Sequence, residues 1–85
     1  MQNYEVKITK LALKDIKTLS PKLKQKLKEI LINTISIDPY IGKKLAGDLK
    51  GNYSFRLSFK DRIVYSIDEN NKVVFLKRAR THYGQ

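Results

Sequence analysis

The last residues of the sequence, KRARTHYGQ (77–85), combine side chains that could transfer a proton and bind an anion. His82 is the only histidine, and imidazole is the side chain whose unperturbed pKa lies nearest to neutrality. Tyr83 follows it directly, and three cationic residues precede it. A chain end of this composition is either a solvated tail or part of a site, and the terminal segment alone leaves both readings open.

Two further arginines lie on neighbouring strand-like segments. Apolar and polar side chains alternate in residues 53–59 and again in residues 62–67, which is typical of strands with one covered face. If the apolar residues of both segments face the helices, Arg56 and Arg62 point to the uncovered face. The pattern therefore predicts two guanidinium groups that share an open surface.

Composition narrows the classes of partner and site. The net charge is +10, from 18 Lys and Arg against 8 Asp and Glu, which favours a polyanionic partner: a nucleic acid, a membrane surface or an acidic protein. The absence of cysteine excludes disulfides and thiolate metal sites, and one histidine excludes the usual histidine-rich metal clusters. We expect one domain, residues 1–85, with no metal and no cofactor.

No segment of the sequence has the length and apolarity of a targeting or membrane element. The first ten residues, MQNYEVKITK, contain no apolar core of signal-peptide length. The longest unbroken apolar run is 73–76, far short of a membrane span. We therefore expect a soluble cytoplasmic protein that does not associate with a membrane.

The periodicity predicts an α+β fold with the order β-α-α-β-β-β. A short strand over residues 4–8 precedes a helix over 11–19, and Ser20-Pro21 predicts the start of a second helix that reaches Ser36. Residues 38–52 have no clear period and are predicted as a long loop, followed by three strands. The two helices would pack on one face of a four-stranded, largely antiparallel sheet.

The last strand decides whether the terminal residues reach the arginines. Strict alternation places Arg78, Arg80 and His82 on one face of this strand and Tyr83 on the other. His82 and Tyr83 then serve one site only if the chain leaves extended geometry near Thr81.

The order of elements and several segments resemble the RelE/ParE superfamily of small basic toxins. The segments are KKLAGDLKG (43–51), YSFRLSFKDRIVYSID (53–68) and the terminal His-Tyr pair, and the resemblance covers nearly the whole chain. The ending is most similar to the YoeB/Txe branch. The resemblance implies a RelE-like microbial ribonuclease fold and the toxin of a type II toxin–antitoxin system.

Membership in this superfamily implies an activity and a set of partners. Its nuclease members bind the ribosomal A site and cut mRNA there without a metal, an acidic cognate antitoxin neutralises them, and the toxin–antitoxin complex binds operator DNA. The resemblance assigns catalysis to Arg56, Arg62, His82 and Tyr83. From their charge and position, and not from the resemblance, we predict that Lys43, Lys44, Lys50, Arg78 and Arg80 contact RNA or the ribosome.

Cleavage through the 2′-hydroxyl gives each of these residues a chemical task. Arg56 and Arg62 suit the developing phosphorane, because guanidinium forks match phosphate oxygens. His82 suits proton transfer, and Tyr83 would stack on a base or hydrogen-bond the phosphate. A purely structural alternative for Arg62 is a surface ion pair with Asp61 or Asp48 that pins the hairpin.

Two other functions fit the same resemblance. The YoeB branch carries a catalytic glutamate in the loop before the hairpin, whereas the corresponding residues 41–51 here, IGKKLAGDLKG, contain no glutamate and Asp48 as their only acid. The general base is therefore left unassigned. This departure keeps open a ParE-like inhibitor that binds DNA gyrase without catalysis, and an inactive toxin retained as a corepressor.

Overall fold

The computed structural model describes residues 3–81 and confirms the predicted α+β class. The regular elements are β1 (Glu5–Ile8), α1 (Lys10–Lys17), α2 (Pro21–Ile30), β2 (Lys43–Lys44), β3 (Asn52–Arg56), β4 (Arg62–Asp68) and β5 (Val73–Thr81). A π-helical turn, Leu31–Ile35, continues α2, and short 3-10 turns lie on either side of β2 at Pro39–Ile41 and Gly47–Leu49. None of the helices within residues 3–81 combines the length and apolarity needed to cross a membrane.

The sheet has five strands in the order β1-β5-β4-β3-β2. Among the strand pairs of residues 3–81, β1 and β5 run parallel and the other three pairs are antiparallel. The prediction of four strands missed β2, in which Lys43 pairs with Ser54 and Lys44 pairs with Tyr53. A strand of two residues is too short to show an alternation, so the sequence pattern could not separate it from the surrounding loop.

Side-chain caps fix where the two helices begin. The Ser20 hydroxyl accepts a hydrogen bond from the Leu23 amide at 3.3 Å, and Pro21 occupies the first turn, as the sequence predicts. The Thr9 hydroxyl accepts from the Ala12 amide at 3.3 Å and donates to the Leu76 carbonyl at 2.9 Å. Thr9 therefore both starts α1 and fastens it to β5.

One face of the sheet carries the core. Helix residues Ala12, Leu19, Leu27, Leu31 and Ile35 pack against strand and turn residues Leu57, Ile63, Tyr65, Val74, Leu76 and Ala79, all buried. The predicted covered face is thus correct. Helical spacing groups Leu13 with Ala12, Ile16 and Leu19 on the apolar face of the first helix, yet Leu13 is 48% exposed. Ile35 is fully buried and was not predicted, because the π-helical turn changes the spacing at the end of the second helix.

The segment after β3 corrects a second expectation. Phe59 was predicted at strand spacing as a core residue, and it is 89% exposed. The strand ends at Arg56, because Ser58 begins a turn in which its hydroxyl accepts from the Asp61 amide at 3.1 Å. A side chain in such a turn no longer alternates between the two faces of the sheet.

Strict alternation also fails along β5. Its register against β4 shifts by one residue at two places; the pairs on either side of the shifts are Tyr65 with Leu76, Val64 with Arg78 and Arg62 with Thr81. Each shift adds one residue to β5 and changes which side chains face the helices. The predicted assignment of residues 77–81 to faces is therefore wrong in detail, and Thr81 comes to lie opposite Arg62.

Candidate functional site

Arg56 and Arg62 lie directly opposite each other on β3 and β4, on the face of the sheet that the helices do not cover. Residues paired across antiparallel strands project from the same face. The backbone of Thr81 is the next partner across the sheet, so one cross-strand row runs from Arg56 through Arg62 to the Thr81 backbone. The sequence prediction that the two guanidinium groups share an open surface is supported by this register.

The Arg62 side chain is held by a hydroxyl and not by a carboxylate. Its Nε and Nη2 atoms each donate to the Ser54 hydroxyl at 3.3 Å. Neither of the suggested acidic partners, Asp61 and Asp48, forms an ion pair with it, and no ion pair involves Arg56 or Arg62 within residues 3–81. The positive charge of both groups is therefore available to an external anion.

Ser54 is a site residue that sequence reasoning passed over. It is 2% exposed, and its hydroxyl is the oriented acceptor for Arg62. A usable signal was present, since Ser54 precedes Arg56 by two residues on one strand and must share its face.

The three lysines predicted to contact RNA fall in two places. Lys43 pairs with Ser54 and so joins the arginine face, whereas Lys44 pairs with Tyr53 and projects from the opposite face. Lys50, beyond the second 3-10 turn, lines a cavity together with Lys44. The structure thus brings Lys43 to the arginines and separates Lys44 and Lys50 from them.

Arg78 and Arg80 hold the far end of β5 against its neighbours. Arg78 donates to both carboxylate oxygens of Asp15, from Nε at 2.8 Å and from Nη2 at 3.1 Å, and Asp15 also accepts from the Ala79 amide at 3.0 Å. Arg80 donates to the Thr18 carbonyl at 3.0 Å, and its Nε lies 3.6 Å from Asp61 Oδ1. Both arginines are thus already engaged in ion pairs and hydrogen bonds within the protein. Their contact with RNA stays a prediction.

Asp15 controls how firmly this end of β5 is held. The hydrogen bonds from Arg78 lower the pKa of the Asp15 carboxyl below its ordinary value. Because the carboxylate is the form that is bound, this stabilisation is present above the unfolded pKa of about 4 and is lost as the pH falls through the folded pKa.

Replacing Asp15 with asparagine should lower the free energy of unfolding by about 2 kcal/mol at pH 7. For a domain of this size that corresponds to a melting temperature lower by about 10 °C, measured by circular dichroism. Asp48→Asn, on the exposed second 3-10 turn, is the matched control and should change the melting temperature little. The gap between wild type and Asp15→Asn should narrow below about pH 4. A gap that is equally wide at pH 7 and pH 2.5 would contradict the role of the carboxylate.

His82 and Tyr83 lie outside the described residues, so their assignment as catalytic residues stays a prediction. The described chain ends in sequence with Thr81, the partner of Arg62, and His82 is the next residue. The covalent chain therefore leads to the edge of the arginine row.

At the opposite end of the sheet, Glu69 forms a cluster of hydrogen bonds and an ion pair with residues from separate segments. The Glu69 carboxylate accepts from Tyr4 at 2.6 Å and from Tyr40 at 2.7 Å, and it forms an ion pair with Lys72. Lys72, followed by the two tyrosines, lowers the pKa of Glu69 to about 2, while Glu69 raises the pKa of Tyr40 to about 12. This cluster joins the turn between β4 and β5 to the beginning of the chain and contributes no group to the arginine row.

The cations placed together on the uncovered face suit an anion such as a phosphate. Among residues 3–81 no group of three or more His, Asp or Glu side chains is placed to hold a metal ion. Arg56, Arg62 and the neighbouring Lys43 place three cations on the uncovered face, and Ser54 orients the guanidinium of Arg62. Oriented cations of this kind suit the stabilisation of a negatively charged transition state.

Comparison with known proteins identifies what the chain is similar to. The family model described as "ParE-like toxin of type II bacterial toxin-antitoxin system" matches residues 6–84. No curated protein matches the chain.

Three solved structures share the fold over nearly the whole chain. The toxin–antitoxin complex RelBE2 from Mycobacterium tuberculosis contains a chain 29% identical, with a TM-score of 0.84, over 92% of this chain and 96% of that one. The YoeB dimer from Staphylococcus aureus is 25% identical, with a TM-score of 0.79, over 95% and 99%. A free mutant of the toxin RelE from E. coli is 21% identical, with a TM-score of 0.79, over 98% and 87%, and shows the common fold alone.

Proposed function

We propose, since this chain belongs to the family of ParE-like toxins of type II bacterial toxin–antitoxin systems, that it is a ribosome-dependent endoribonuclease that cuts mRNA in the cytoplasm. The observation that carries this proposal is the pair of arginines on the open face. Arg56 and Arg62 lie opposite each other, are free of ion pairs within the described residues, and adjoin the segment that leads to His82.

The proposed reaction is an intramolecular transesterification, in which phosphorus exchanges its bond to the 5′-oxygen of the next nucleotide for a bond to the 2′-oxygen. The 2′-oxygen forms a bond to phosphorus and gives its proton to a general base. The bond between phosphorus and the 5′-oxygen then breaks, and the 5′-oxygen receives a proton from a general acid. The products are a 2′,3′-cyclic phosphate and a 5′-hydroxyl. Arg56 and Arg62 stabilise the dianionic phosphorane, and His82 transfers a proton. Tyr83 stacks on a nucleobase or donates a hydrogen bond to the phosphate.

Ser54 explains why Arg62 is suited to this task. The hydroxyl accepts from Nε and Nη2 and leaves Nη1 without a bond to Ser54, so the guanidinium is oriented while retaining a donor for an incoming oxygen. Orientation before binding reduces the entropy lost when the phosphate arrives.

Parallel assays of translation and DNA supercoiling test the proposal. Purified protein should cut mRNA on programmed ribosomes and leave gyrase active. The alternative is a ParE-like inhibitor of gyrase, which the family description and the loop without glutamate favour. Blocked supercoiling with intact mRNA would establish that alternative and end the nuclease proposal.

The partner we propose is an acidic antitoxin, and together the two chains would bind operator DNA. RelBE2 and YoeB–YefM are described as toxin–antitoxin complexes. On this chain an apolar groove of about 480 Å³ runs between β1 and α2, with Val6, Ile8 and Leu31 among its lining and Lys24 and Lys28 beside them. An amphipathic acidic segment fits such a groove, because its apolar side chains would fill it while its carboxylates meet the lysines.

Replacing Ile32, a 55% exposed residue of this groove, with glutamate should weaken antitoxin binding by about 100-fold, because a carboxylate would be buried against apolar side chains. Ile37→Glu is the matched control, since Ile37 is 53% exposed and does not line the groove. Isothermal titration calorimetry with the cognate antitoxin measures both. Equal losses in the two variants would remove the groove from the interface.

A further inference from the structure

Charge along the open face restricts the route that an RNA strand can take. The row of Arg56 and Arg62 and the next row, which contains Lys43, lie toward one end of the sheet. At the other end Glu5 and Asp68 both pair with Val73 and therefore project from the same face. Phosphates would be repelled by that acidic end, so a strand held at the arginines is directed sideways, across the strands.

The sideways route leads to β2, the shortest strand and one edge of the sheet. Lys43 faces the arginine side of this edge and Lys44 faces the other side. Because this edge strand is only two residues long, a strand of RNA that reaches Lys43 has a short edge to pass around before it reaches Lys44.

A cavity of about 430 Å³ opens on the far side of β2. Lys44 and Lys50 line it together with Tyr53 and the glycine-containing turn between β2 and β3. The Tyr53 ring is itself held by stacking on Tyr65, with ring centroids 5.8 Å apart. Gly47 and Gly51 both have positive φ, 65° and 94°, and this backbone shape curves the turn around the cavity. Two cations beside an aromatic residue match a nucleotide, because a phosphate binds the ammonium groups and a base packs against an aromatic side chain.

We propose that this cavity, defined by Lys44, Lys50 and Tyr53, binds the nucleotide that flanks the cleaved one, with the RNA crossing the β2 edge from Lys43. The proposal rests on the ribonuclease function. It makes the loop between β2 and β3 a specificity subsite on the opposite face from the chemistry.

The test compares two fluorescent 2′-O-methyl RNA probes that resist cleavage. A dinucleotide spans only the scissile phosphate, and a pentanucleotide extends past it on both sides. In the double variant Lys44→Ala/Lys50→Ala, affinity for the pentanucleotide should fall on the order of tenfold at 0.1 M salt. The slope of the logarithm of its binding constant against the logarithm of the salt concentration should become shallower by about 1. Affinity for the dinucleotide should be unchanged. Fluorescence anisotropy over a salt series gives both quantities.

Lys7→Ala/Lys10→Ala is the matched control, because it removes the same charge from two exposed residues at or next to the opposite edge strand, β1. The control should affect the two probes equally and weakly. Equal losses for both probes in the Lys44/Lys50 variant would show general attraction and overturn the subsite. Unchanged RNA affinity with weakened antitoxin binding would assign the cavity to the protein partner and overturn it as well.

Failure of the subsite is distinguishable from failure of the proposed function. If Arg56→Gln and Arg62→Gln weaken binding of both probes while the lysine variant is silent, only the subsite is lost. If the arginine variants also leave both affinities unchanged, the open face does not bind RNA and the nuclease proposal falls with it.

Discussion

Changing Arg62 to glutamine is expected to slow mRNA cleavage on the ribosome by about 100- to 1,000-fold while the protein stays folded. Within residues 3–81 the Arg62 guanidinium forms no ion pair and is oriented by Ser54. Removing a preorganised donor from a developing negative charge costs about this much. Single-turnover cleavage of ribosome-bound mRNA, followed by primer extension, measures the effect.

Arg62→Lys separates charge from geometry. Lysine keeps the positive charge but lacks the planar guanidinium, which can donate to Ser54 and to a phosphate at the same time. The lysine variant should therefore restore only part of the rate. Lys7→Gln, which removes a cation from the opposite edge strand, should cleave at nearly the wild-type rate. An Arg62→Gln protein within threefold of wild type would show that this arginine does not contact the reacting phosphate.

The second large effect is expected at His82. His82→Gln should reduce cleavage by about 10²- to 10⁴-fold, the usual contribution of one general acid–base group, and abolish toxicity in cells. Binding of the antitoxin should be unchanged, because the proposed groove lies between β1 and α2.

The pH dependence gives His82 a readout that a structural role would not move. If neutral imidazole accepts the proton, the wild-type rate rises with pH through the range in which histidine titrates, and the glutamine variant lacks that rise. Wild-type toxicity and an unaltered pH profile in His82→Gln would exclude the imidazole from proton transfer.

Much of the fold follows from periodicity alone. The alternation in β3 and β4 predicted which side chains enter the core, and Ser20-Pro21 predicted the start of α2. What the pattern missed depends on backbone hydrogen bonds that leave no period: the π-helical turn that buries Ile35, and the two-residue β2. The exposure of Phe59 is set by a turn that begins at Ser58, one residue earlier than the alternation suggests.

In the candidate site, too, local spacing predicts some features, whereas others depend on contacts between distant parts of the chain. Arg56 and Arg62 could be placed on one face from sequence, because period-2 spacing is local information. The partners of Arg78 and Arg80 could not, since Asp15 and Thr18 are more than sixty residues away in the chain and meet β5 only through the packing of α1. The two register shifts in β5 had no sequence signature either, yet they bring Thr81 opposite Arg62.

The most direct measurement concerns convergence on a single phosphate. Nuclear magnetic resonance of ¹⁵N-labelled protein can follow the Nε signals of Arg56 and Arg62 and the imidazole of His82 during titration with the 2′-O-methyl dinucleotide. We predict that all three signals move along one binding curve with a common dissociation constant. Arginine signals that move while the imidazole stays unchanged at saturation would contradict the account.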